Sequence, residues 1–153
     1  MFGQEFIDST TDIPQWILDL VSKVESTYGF CTNNIWFKEA KSDNYRDGCY
    51  RVRNKILQFC FKREETIERI WVVLHELTHA FQHLERADTL TPKPIGRKNR
   101  IVHNPAFFRF AAQFYLEFGG KEVLEFAANN EYKRGRIYMK RAARVEKLHS
   151  IEV

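Results

Sequence analysis

The chain has 153 residues, of which 44% are hydrophobic and 13 are phenylalanine, so it can bury the core of one ordinary domain and is not a disordered segment. Its formal net charge of +4 is modest. No apolar run approaches the roughly 18 residues that a membrane span requires, and the acidic N-terminal stretch lacks the basic-then-apolar order of a signal peptide. We therefore expect a cytoplasmic monomer without membrane contact.

The first half of the chain changes from a helical to a β-strand pattern. Residues 12–28 carry apolar side chains at helical spacing, and Gly29 would end that helix. Residues 34–61 then predict about three strands of a small antiparallel sheet, with a hairpin over 49–61 that turns at residues 54 and 55. Such a hairpin would place Cys49 opposite Cys60, but in a reducing cytosol two buried thiols are favoured over a disulfide.

The second half is predicted to be helical. A helix beginning near Glu64 or Glu65 has a broad apolar stripe, and a polar loop follows over 85–102. A helix over 106–118 begins after an Asn104 cap and ends at glycines 119 and 120. A basic helical region follows, with a break at residues 129–130 or at Gly135. We interpret the chain as one α+β domain with its core over 10–120 and a C-terminal extension over 121–153.

The motif HELTH over residues 75–79 is the strongest chemical signal. Helix positions four apart differ by about 40° in azimuth and about 6 Å in rise, so His75 and His79 can bind one zinc ion. Glu76 would lie beside the ion as a general base that accepts a proton from metal-activated water. The alternative, two polar histidines at the margin of the core, is less favoured because burial without partners costs a few kcal/mol for each group.

A catalytic zinc needs a third protein ligand, for which His103 is the strongest candidate because it precedes a helix cap. His83 continues the spacing, but its Cα would lie about 12 Å from that of His75. Glu85 has the metzincin spacing, although Gln82 stands where that motif requires glycine. The remaining rivals are Glu117, Glu122, Glu125 and His149.

Two segments are basic enough to contact nucleic acid. Residues 93–100 hold four basic side chains and no acid, and residues 133–147 hold seven against one acid, Glu146. Such segments can follow a phosphate backbone or can simply be solvated helix faces. The candidate nucleic-acid contacts are Arg97, Lys98, Arg100, Lys140, Arg141 and Arg144.

HELTHAFQH followed by HNPAFFRFAAQF resembles the SprT-like (Spartan-type) zinc metalloproteases. In that family a His-Gly-x-x-Phe element supplies the third histidine, which His103 to Phe107 match except that Asn104 replaces glycine. The resemblance covers about residues 10–120 and implies a minimal zincin-like domain with one catalytic zinc ion. It also implies an endopeptidase whose extended protein substrate pairs with a sheet edge, and which acts by analogy on DNA-associated proteins. The family often has a zinc ribbon, whereas no cysteine follows Cys60 here.

Two other functions stay open. The chain could be a non-catalytic, zinc-stabilised module that binds DNA or protein, although a purely structural site has no need of Glu76. It could also be a protease of a phage or mobile element with one dedicated target. The residue that stabilises the oxyanion is undetermined among Tyr115, Arg109 and Tyr138.

Overall fold

The computed structural model describes residues 12–85 and 103–152, with side chains through residue 145. Over these residues the chain is an α+β domain, as predicted, with a small three-stranded sheet. The elements in chain order are α1 (Gln15–Tyr28), β1 (Asn34–Glu39), β2 (Asp47–Arg51), β3 (Ile56–Phe61), α2 (Ile67–Glu85), α3 (Pro105–Phe114), a π-helical turn (Tyr115–Gly119), α4 (Lys121–Asn130) and α5 (Lys133–Glu152).

The N-terminal helix forms where its apolar spacing predicts. Its buried face consists of Ile17, Val21 and Val24, which recur at three- and four-residue intervals. Gly29 ends the helix in the left-handed conformation, with φ of 73°, and its backbone N–H donates to the carbonyl of Glu25. This confirms the predicted helix and its termination.

The sheet is mixed rather than antiparallel. Strand β3 is central, with β2 antiparallel on one side and β1 parallel on the other. All six residues of β3 are buried, whereas β1 and β2 are edge strands with intermediate burial. The prediction of an antiparallel pairing for the first strand was therefore wrong, because side-chain alternation indicates a face and not a strand direction.

The hairpin differs from prediction in its register. A four-residue turn joins β2 to β3, with Lys55 in the left-handed region at φ of 57°. Cys49 consequently lies opposite Gln58, and Cys60 lies opposite Asp47. The prediction that Cys49 lies opposite Cys60 was wrong, and neither residue forms a disulfide among the described residues.

Helix α2 is the central helix of the domain and begins slightly later than predicted. The Thr66 hydroxyl accepts a hydrogen bond from the backbone N–H of Arg69 at 3.2 Å, so it caps a helix that starts at Ile67 rather than at Glu64 or Glu65. Eleven residues of α2 are buried, including both histidines of the HELTH motif. The helix therefore carries the candidate ligands into the centre of the fold.

The C-terminal region packs into the same core. Helix α4 ends at Asn130, which confirms the break expected at residues 129–130, while Gly135 lies inside α5. Residues from both helices join the main hydrophobic cluster, namely Val123, Leu124, Ala127, Ala128 and Met139. These five residues of α4 and α5 thus belong to the packed core. Within the described residues, no helix is long and apolar enough to cross a lipid bilayer.

Candidate metal centre

Three histidine side chains converge at one point. Nε2 of His103 lies 3.1 Å from Nε2 of His75 and 3.1 Å from Nε2 of His79. The three ligand atoms all lie within 4.8 Å of one another. His75 and His79 are 8% and 6% exposed, and His103 is half-buried. The three residues predicted from sequence as metal ligands are therefore close enough to bind one metal ion.

Local structure around Asn104 determines where His103 lies. The Asn104 side chain caps α3 by accepting a hydrogen bond from the backbone N–H of Phe107 at 2.8 Å. The same oxygen accepts a second bond, 3.1 Å long, from the side-chain amide of Gln82 on α2. Asn104 has φ of −101°, which any L-residue can adopt, so the cap introduces no backbone strain. The cap thereby fixes His103 against the helix that carries the other two histidines.

The chemistry of this cluster fits a cation. Three nitrogens in a tetrahedral shell with Zn–N bonds of about 2.0 to 2.1 Å would lie about 3.3 Å apart, close to the two observed separations of 3.1 Å. Packing three imidazole nitrogens so closely, away from water, is costly unless something compensates, and a cation bound by the three Nε2 atoms would do so.

A buried carboxylate contacts the His75 imidazole at Nδ1, the ring nitrogen that does not face the cluster. Oε2 of Glu131 lies 3.2 Å from Nδ1 of His75 and accepts hydrogen bonds from the Tyr115 hydroxyl at 2.6 Å and from the Trp71 indole at 3.3 Å. Glu131 is only 3% exposed. Because Nδ1 donates to this carboxylate, Nε2 of His75 presents its lone pair to the cluster, as a metal ligand must.

Electrostatics favour the neutral form of two of the three imidazoles. Burial lowers the pKa of His79, and the charges of His75 and His103 lower it further. Burial, then the charge of His75, lowers the pKa of His103 to about 4, against a smaller effect of Glu131. Burial also lowers the pKa of His75, but the hydrogen bond to Glu131 and the charges of Glu76 and Glu131 outweigh it, so that this pKa is raised. Neutral histidines at 79 and 103 are ready to bind a metal ion.

Glu76 lies beside the cluster and against the edge strand β2. Burial, followed by the charges of Asp47 and Glu131, raises the pKa of Glu76, although His75 and the backbone N–H of Tyr50 oppose the shift. A Cβ on Gly48 would lie 2.6 Å from Cγ1 of Val72 and 3.2 Å from Cγ of Glu76. Only glycine allows strand and helix to approach so closely, so Gly48 helps to position the carboxylate.

A cleft of about 560 Å³ opens onto the cluster. One wall is formed by the start of β2 and the other by the beginning of α5, with α2 at the base. Its lining includes Gly48, Trp71, His75, Glu76, Tyr132 and Arg136. The cleft gives a ligand access to Glu76 and to His75 at once.

The rival ligands lie elsewhere. His83 is outside the cluster, with its Nδ1 3.0 Å from the Tyr50 hydroxyl. Glu117 accepts a hydrogen bond from Tyr28. Glu122 and Glu125 are exposed on α4, and Glu85 is exposed at the end of α2. The side chain of His149 is outside the described residues.

The candidate nucleic-acid contacts divide into two groups. Lys140, Arg141 and Arg144 are exposed on α5, where no acidic residue interrupts the sequence from 133 to 145. Arg97, Lys98 and Arg100 lie outside the described residues. Within the part of the chain that the structure describes, the candidate contacts thus form an exposed basic face on α5.

Sequence reasoning missed Glu131 and Tyr132. Neither has a fixed spacing from the HELTH motif, and the sequence does not distinguish Glu131 from the exposed acids of α4. The one available signal was the break at residues 129–130, because a chain that turns there can direct the next side chains toward a neighbouring helix. Both residues occupy that junction.

In comparison with known proteins, no family model, no curated protein and no solved structure matches this chain.

Proposed function

We propose that this chain is a zinc-dependent endopeptidase of the SprT-like type. The observation that carries the proposal is the convergence of His75, His79 and His103, with His75 and the adjacent Glu76 lining an open cleft. The HELTH and HNPAF motifs support the same conclusion through their resemblance to that family. The three histidines would hold the zinc ion, and the imidazole chemistry of the site suits this metal.

The chain's own residues supply the proton transfers. Zinc, when bound, contributes Lewis-acid activation of water and of the substrate carbonyl. Glu76 accepts a proton from the attacking water and later delivers it to the leaving nitrogen. Burial raises the pKa of Glu76, which makes its carboxylate a stronger base than an exposed one. Glu131 keeps His75 in the required tautomer throughout.

The position of β2 supports an extended protein substrate. This strand is at the edge of the sheet and lines the cleft at Asp47 and Gly48. An extended peptide can add to such an edge through backbone hydrogen bonds. A peptide bound there would run past Glu76, which places a backbone carbonyl near the candidate metal centre.

The decisive experiment separates metal binding from catalysis. Glu76→Gln should retain zinc but reduce hydrolysis of fluorescein-labelled casein by at least about 100-fold, because it removes the proton acceptor. Glu122→Gln, an exposed change on α4, should retain full activity. His103→Ala should lose both zinc and activity. Equal activity of wild type and Glu76→Gln would refute the proposed role.

The exposed basic face of α5 favours action on DNA-associated proteins. Cleavage of a basic protein such as a histone should be faster when duplex DNA is present, because both would bind to one scaffold. Reversing charge at Lys140, Arg141 and Arg144 should remove this stimulation, whereas Lys121→Glu on α4 should not. Equal rates with and without DNA would eliminate the DNA-dependent part of the proposal.

A non-catalytic binding module is the second candidate, favoured by the same basic face. In that case wild type and Glu76→Gln would bind DNA equally and would cleave no protein across a broad panel. The casein assay and a DNA-binding assay performed on both proteins distinguish the two functions.

A further inference from the structure

Tyr132 is an exposed aromatic residue directly beside the metal centre. Its ring lies 4.2 Å from the ring of His103, centroid to centroid, and 6.1 Å from that of His75. It is nevertheless 59% exposed, and the hydrogen bonds that it makes with described residues involve its backbone N–H and carbonyl rather than its hydroxyl. A large side chain held on the rim of the site with an available donor is a candidate for contact with substrate.

The main-chain environment holds Tyr132 in this position. Its backbone N–H donates to Oε1 of Glu131 at 3.2 Å, while Oε2 of the same carboxylate faces His75. Its carbonyl accepts the N–H of Arg136 in the first turn of α5. Tyr132 lines the same cleft as Glu76, so a peptide bound in that cleft would meet both side chains.

The other candidates for an oxyanion donor are less well placed. Tyr115 is fully buried, and its hydroxyl already donates to Glu131 at 2.6 Å. Neither Arg109 on α3 nor Tyr138 on α5 lines the cleft. Of these candidates, Tyr132 is therefore the one that lines the cleft together with Glu76 and His75.

We infer that Tyr132 is a catalytic residue that donates a hydrogen bond to the carbonyl oxygen of the scissile peptide. The inference rests on the proposed peptidase function. As the water oxygen bonds to the carbonyl carbon, the π-electron pair moves onto the carbonyl oxygen and the water proton passes to Glu76. The Tyr132 O–H stabilises that oxygen without giving up its proton. The C–N bond then breaks as Glu76 protonates the nitrogen, giving a carboxylic acid and an amine.

Two substitutions distinguish the contribution of the Tyr132 hydroxyl from that of its ring. Tyr132→Phe keeps the ring packed against His103 and removes only the donor, whereas Tyr132→Ala removes both. Tyr132→Phe should lower kcat for casein about 100-fold, with KM and zinc affinity unchanged. Tyr138→Phe is the matched control and should behave as wild type. If Tyr132→Phe stays within twofold of wild type in kcat, the inference is wrong.

A binding measurement makes the result independent of turnover. An N-phosphoryl dipeptide presents tetrahedral anionic oxygens to the site, and zinc-loaded Tyr132→Phe should bind it at least about 10-fold more weakly than wild type in calorimetry. If wild type cleaves nothing but this difference appears, the peptidase proposal fails and the Tyr132 donor stands. If wild type cleaves and both proteins bind equally, the Tyr132 inference alone fails. If wild type neither cleaves nor binds the probe, both are overturned.

Discussion

Glu131 accepts a hydrogen bond from His75 across a sequence separation of 56 residues, with Oε2 and Nδ1 3.2 Å apart. The carboxylate is buried at the junction of α4 and α5, and its bond with the imidazole holds the pKa of Glu131 low although burial alone would raise it. A candidate metal centre whose histidines lie on α2 and just before α3 therefore depends on a third segment of the chain.

Replacing Glu131 with glutamine should weaken zinc binding. The amide is uncharged and polarises His75 less, so affinity should fall about 10- to 100-fold while the fold is retained. Competition with a chromophoric chelator measures the change, and Glu125→Gln, an exposed substitution on α4, is the control. Unchanged affinity in Glu131→Gln would show that the carboxylate does not support the ligand.

Zinc should stabilise the folded chain, and removing it with a chelator should reverse the effect. A ligand that binds only the folded state adds about 4 kcal/mol when its free concentration is 1,000 times Kd. His103→Ala should abolish the zinc-dependent rise in Tm, whereas His83→Ala should keep it because His83 lies outside the cluster. An equal shift in wild type and His103→Ala would exclude His103 as a ligand.

Gly48→Ala should destabilise the protein, because the new Cβ would lie 2.6 Å from Cγ1 of Val72. Forcing strand and helix apart costs about 1 to 3 kcal/mol, measured by urea unfolding. Val72→Ala removes the opposing methyl groups, so the double variant should lose less than the sum of the two single changes. Simple additivity would mean that Gly48 and Val72 do not compete for space.

Cys49 and Cys60 should form no disulfide with each other in air. The observed register makes them diagonal neighbours across β2 and β3, about 7 to 8 Å apart, which exceeds the Cα separation that a disulfide spans. Mass spectrometry of peptides prepared without reductant should find no bond between the two. Such a bond would require the register that places Cys49 opposite Cys60.

The bond between Tyr28 and Glu117 should become weaker at high pH. Burial, then the hydrogen bond and charge of Glu117, raises the pKa of Tyr28 from 10.0 to about 12. Because the folded state holds this proton more tightly, its stabilising contribution is complete below pH 10 and is lost as the pH rises through about 12. The stability difference between wild type and Tyr28→Phe should therefore narrow over that range in urea unfolding. If the difference in unfolding free energy between the two proteins stays constant with pH, the raised pKa of Tyr28 is contradicted.

The sequence predicted those features of the fold and of the candidate site that are encoded within a short stretch of the chain. The periodicity of α1, the HELTH spacing and the cap before α3 each lie within a short stretch. The sequence therefore sufficed to select His75, His79 and His103 as the candidate metal ligands. The hairpin register was not predicted, because a shift by two residues leaves every side chain on its face and does not alter the hydrophobic pattern. Glu131 and the parallel pairing of β1 depend on long-range packing, which periodicity does not encode.

Helix α5 carries exposed basic side chains and also packs against the interior of the domain at Gly135. A Cβ on Gly135 would collide with Phe108 and lie 2.7 Å from Cγ of Glu131, so this part of α5 sits directly on the residue that supports His75. Lys140 and Arg141 follow further along the same helix. A substitution that displaces α5 at Gly135 should therefore disturb Glu131 and, through it, the imidazole of His75.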